Sequence, residues 1–246
     1  MVEHMVSNFK IASFIVGVIL STVLPIYVLV KVRKEKGIMG NIVVGAIASL
    51  LVTLVKGLLV TLIAGILPTL LKADNLIINI TLLFIFDLLG FLLVYWILTT
   101  KFKTESLTPS RAAATTLGYL LTFTWTNIST LMNFTIGGFA INEGNLVDYL
   151  NAEQIVLYTR AIVDTSAFHY LGFAIYIVFN WLLYTKLFQY TLAKKEDRSQ
   201  VVIYAVLASF MMTLFSAKIL PPVVLLVVIL AVTLVMFKEF KAIKWN

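Results

Sequence analysis

Apolar runs of about 20 residues recur along the whole chain, separated by short polar or basic connections. A helix that crosses a bilayer needs about 20 mostly apolar residues. The pattern predicts seven spans, at roughly 11–30, 39–60, 76–99, 112–135, 165–190, 201–217 and 219–237. The expected fold is an all-α polytopic helix bundle, one integral membrane domain over 1–246 with no soluble domain. Apolar character runs from Ile38 to Leu71 with Lys56 as its single charge. A full span followed by a short surface helix, with Pro68 near its end, is expected there. Pro221 and Pro222 set a tight last turn, because neither fits a helix interior. Asn151 with Gln154 three residues on resembles a capping box, which starts a helix in the outer loop.

Composition agrees with this pattern. The 246 residues are 61% hydrophobic and 13% charged, with a mean hydropathy of +1.00. Soluble domains carry about a quarter charged residues. Basic residues cluster after span one (Lys31, Arg33, Lys34, Lys36), between spans three and four (Lys101, Lys103, Arg111), after span five (Lys186, Lys194, Lys195, Arg198) and in the tail (Lys238, Lys241, Lys244). Those groups hold fourteen of the 19 basic residues. The positive-inside rule assigns their side to the cytoplasm, with the N-terminus outside and the C-terminus inside. The net charge of +7 reflects this sorting and gives no reason to expect nucleic acid. The first span ends in a basic cluster without a small-residue cleavage site, so no cleaved signal peptide is expected.

Polar residues within the spans are the candidates for function. Asp87 interrupts "LLFIFDLLGFLLVYW", roughly 20 Å above the inner end of its helix at 1.5 Å per residue. A bare carboxylate at that depth costs on the order of 3 kcal/mol, so it is expected to face the bundle, paired or protonated. Lys56 sits at a similar height in span two, within reach of a Lys56–Asp87 pair; the alternative is snorkelling to the outer interface. In span four Thr115, Tyr119, Thr122, Thr126, Ser129 and Asn133 recur every three to four residues, on one helix face with Asn127 beside it. That face is read either as the lining of a polar path or as ordinary interhelical bonding. His169, Tyr176, Asn180 and Tyr184 share a face of span five, His169 near its outer end, where a structural role outweighs a catalytic one.

Much chemistry is excluded. There is no cysteine, and the two histidines, His4 and His169, do not make the three- or four-ligand set of a zinc site. No HExxH or phosphate-binding glycine loop is present. Asp87 and Asp164 lack the setting of an aspartyl dyad. A retinal protein is excluded because 219–237 contains no lysine. No cofactor is expected.

The opening "MVSNFKIASFIVGVILSTVLPIYVLVKVRKEKGIMGNIVVGA", the central "FIFDLLGF" and the outer "LNAEQ" resemble the YhfC family of predicted glutamic-type intramembrane proteases, distantly similar to the CAAX-processing peptidases. The resemblance covers most of the chain in span order, loop lengths and basic clusters. It implies a paired glutamate and an arginine in span three, where this chain has Asp87, Leu88 and Phe91. It implies a histidine and a glutamate in the next span, where Arg111 to Leu131 offers Thr122, Thr126 and Asn127. A later family histidine falls nearest Asn180, and the last polar site falls in "FMMTLFS". The expectation is a pseudoprotease of a bacterial cytoplasmic membrane that works by binding. It would be an accessory subunit of a membrane complex such as an exporter, a peptide or lipid binder, or an immunity or regulatory factor. The alternatives are a transporter or channel subunit using Asp87 and Lys56, and a protease with a divergent site. Expected partners are the lipid bilayer and another membrane protein.

Overall fold

A computed structural model describes residues 6–66, 76–101, 107–143, 159–190, 199–216 and 220–241. Those residues form helices joined by turns: α1 (Asn8–Val32), α2 (Ile38–Ile66), α3 (Leu76–Thr100), α4 (Pro109–Tyr119), α5 (Leu121–Glu143), α6 (Ala167–Gln189), α7 (Ser199–Ser216) and α8 (Pro222–Lys241), with a short helical turn at 159–163. Four segments are long and apolar enough to cross a membrane: α1, α2, Ile80–Thr100 of α3, and α6. They mark the chain as a membrane protein.

Two expectations are corrected. Span four is an interrupted helix, because Leu120 leaves helical geometry with φ −90° and ψ 4° between α4 and α5. Gly118, two residues before, lowers the helical preference at that point. Helix α2 does not stop near residue 60. It runs unbroken through 29 residues to Ile66, since "LVTLIAGI" contains no proline, and its one glycine, Gly65, stands next to the end. Pro68 and the expected surface helix beyond Ile66, and the expected capping box at Asn151, lie outside the described residues.

The chain divides into two compact units. The first comprises Met1–Leu24, Phe123–Phe179 and Leu220–Leu234. Its core joins Phe14 to Phe134 and Tyr170, at ring-centroid separations of 5.7 and 4.6 Å. Helices α1 and α5 are antiparallel here. Gly17 lies so close to Leu131 that an added Cβ would sit 2.6 Å from its Cδ1, and Gly138 faces Ile11. Asn142 ties the chain before α1 to α5, accepting from the Val6 amide at 2.7 Å and donating to its carbonyl at 2.9 Å.

The second unit comprises Pro25–Thr122, Asn180–Ile219 and Val235–Asn246. In it α2 packs on α4, and α3 packs on α2 and α7. The α2–α4 crossing brings backbone against backbone. A Cβ on Gly45 would collide with the Thr115 carbonyl and the Tyr119 amide, and one on Gly118 with the Ile42 carbonyl and the Ala46 amide. The fully buried residues of α2 end at Val52. The α1–α2 turn needs Gly37, whose φ of +81° disfavours other residues. A polar clasp holds this turn to α4. Glu35 Oε1 accepts from the Thr108 hydroxyl at 2.8 Å and lies 3.0 Å from Arg111 Nε, while Arg111 Nη2 donates to the Lys36 carbonyl at 3.3 Å. Thr108 also caps α4, its hydroxyl accepting from the Arg111 amide.

Candidate functional site

Helix α5 is 23 residues long, about 34 Å at 1.5 Å per residue, and has a polar residue on nearly every turn. Its buried positions are Thr124, Asn127, Leu131, Gly137 and Gly138. Thr122, Thr126, Ser129 and Asn133 are exposed. Periodicity thus finds a polar face on this helix, and that face points outward; the side turned to the core carries a second polar set. Thr115 and Tyr119, grouped with the same face in the sequence, lie in α4 and are buried.

The inward set is unusual in its bonding. Hydroxyls inside apolar helices are normally satisfied by the carbonyl four residues back. Thr22, Thr116, Thr135, Thr185 and Ser209 all do this, at 2.8–3.0 Å. The buried hydroxyls of Ser21, Thr124 and Thr233, and the Asn127 amide nitrogen, have no partner among the described residues. All four belong to the first unit. Ser21 and Asn127 are level with each other, each one turn beyond the Gly17–Leu131 contact on its own helix. Sequence reasoning singled out Asn127 but missed Ser21 and Thr124. The available signal was Ser21 standing four residues before Pro25, whose missing N–H leaves the Ser21 carbonyl without its helical donor.

In α6, His169 is half-buried with its ring edge-on to Tyr170 at 6.1 Å. Tyr170 donates to the Ala161 carbonyl at 2.5 Å. Tyr176 is buried against Phe179 and Phe123, at 6.3 and 6.5 Å between centroids. In the second unit Asn180 is buried with its Oδ1 unpartnered among the described residues, and Tyr184 packs on Tyr119 at 5.3 Å. The predicted α6 face is therefore part aromatic core and part polar, and the comparatively exposed His169 sits at the start of the helix.

Lys56 is exposed on α2, with its ammonium 5.8 Å from the Phe86 ring centroid in a cation–π arrangement. Asp87 follows Phe86 in α3; its side chain lies outside the described residues. Among the described residues no three His, Asp or Glu side chains group as a metal site. No family model, curated protein or solved structure matches the chain.

Proposed function

We propose that this chain is a non-catalytic membrane protein that acts by binding another membrane protein through the outward polar face of α5. The observation that carries the reading is the exposure of Thr122, Thr126, Ser129 and Asn133 on a helix of membrane-crossing length. The hydroxyls can turn to their own backbone, but the Asn133 amide cannot be satisfied by a lipid tail. Polar residues of this kind hydrogen-bond across helices in bilayers. The reading extends to a degenerate relative of the YhfC-type proteases in a bacterial cytoplasmic membrane. There it serves as an accessory subunit or regulatory factor, with seven crossings, α4 and α5 forming one of them, the N-terminus outside and the C-terminus inside.

The test is a mild-detergent pull-down from native membranes, combined with photocrosslinking from position 129. One stoichiometric membrane partner, crosslinked there and lost in Asn133→Leu, is expected. Recovery of the chain alone, with no crosslink, overturns the reading. Because the chain lacks cysteine, single introduced cysteines tested for labelling from each side will check the topology.

A second reading is a transporter subunit. It is favoured by the meeting of Lys56 with Phe86, the neighbour of Asp87. Transport lost in Asp87→Asn with the partner still bound would select it.

A further inference from the structure

The buried polar groups along the α1–α5 seam are the feature that the outward-binding reading does not use. Ser21 is fully buried, Thr124 is 5% exposed and Asn127 7% exposed, and each leaves a hydrogen-bonding atom unpaired among the described residues. Burying such an atom in hydrocarbon costs several kcal/mol when nothing satisfies it. The two hydroxyls forgo the backbone carbonyl that their counterparts elsewhere in the protein take. Just below, Pro25 withholds the N–H that would occupy the Ser21 carbonyl. Within two turns of the Gly17–Leu131 contact the seam thus offers an obligate donor at Asn127 Nδ2 and two hydroxyls, Ser21 one turn on and Thr124 two turns on, that serve as donor or acceptor.

We infer that the α1–α5 seam at Ser21, Thr124 and Asn127 binds a small neutral hydrogen-bonding group, such as an internal water. Neutrality follows from the surroundings: no Asp, Glu, Lys or Arg lies between Ile11 and Val30 of α1 or between Leu121 and Asn142 of α5. A charged guest would find no counter-charge on either helix. A group that both accepts and donates matches the set, and about three hydrogen bonds is the usual complement of a buried water. The hydroxyl or carbonyl of a lipid or solute has the same chemistry.

Two measurements on the full-length protein in lipid nanodiscs test the site. A high-resolution map of the unaltered protein should show density about 3 Å from Asn127 Nδ2. A compact isolated peak identifies water, and an elongated one identifies a lipid or solute group; both support the site. Thermal unfolding then compares Asn127→Leu, Ser21→Ala and the double variant. Each single change should lower Tm by about 2–4 °C, and the double no further than the worse single, because both remove the same guest. An empty map at that position, or Asn127→Leu leaving Tm unchanged or raised, overturns the inference.

Discussion

Two glycine-mediated seams hold the two units, and they treat their polar groups differently. At the α2–α4 seam, Gly45 and Gly118 let the backbones touch, and the buried polar groups there are closed on one another. Asn41 reaches the Thr115 hydroxyl at 3.5 Å, and Thr115 donates in turn to the Arg111 carbonyl at 3.0 Å. At the α1–α5 seam, Gly17 meets a leucine side chain rather than backbone, and the Asn127 amide nitrogen one turn away has no partner among the described residues. The lesson concerns tightness. Backbone-to-backbone contact leaves no room for a third party, so the polar groups must find each other. A looser seam can keep groups for something else.

The largest effect should come from filling the tighter seam. Gly118→Val drives a branched side chain into the Ile42 carbonyl and should cost about 3 kcal/mol or more, seen as loss of monodisperse protein in size-exclusion chromatography. The matching change in the looser seam, Gly17→Val, meets the movable end of Leu131. It should cost about 1–2 kcal/mol and leave a folded protein with reduced thermal stability. Equal losses at the two glycines would break the distinction. Asn41→Leu removes a side-chain bond that is long at 3.5 Å, and should cost only about 0.6 kcal/mol by denaturant titration. The smallest effect is expected at the clasp. Glu35→Gln keeps the Thr108 bond but gives up the charge beside a partly exposed Arg111, for about 0.5 kcal/mol that fades as salt is raised.

Much of the fold was legible because its strongest signal, apolar length, is also what a bilayer selects. The chain reads as helical throughout, and four predicted spans coincide with helices long and apolar enough to cross. The interruption at Leu120 was not legible, since nothing in "TTLGYLLT" separates a glycine that serves a close crossing from one that ends a helix. The uninterrupted run of α2 was missed through an assumption about membrane thickness, against residues that favour a continuous helix. For the candidate site, periodicity located the polar faces of α5 without their direction. A polar stripe and its opposite differ only in what the neighbouring helices bring, and that depends on Gly17 and Phe14 of a helix about a hundred residues away. Ser21 drew no notice because a single serine in an apolar run looks self-satisfied.

The 29 residues of α2 have a further consequence. At 1.5 Å per residue the helix is about 43 Å long, against a hydrocarbon core of about 30 Å. Its trailing half beyond Val52 has no buried side chain to fix its angle. A helix with that excess either leans over or gathers a locally thicker bilayer around itself. Bilayer thickness is thus a variable to which this protein responds: thin-lipid vesicles should increase the tilt of α2, and thick ones should bring it upright.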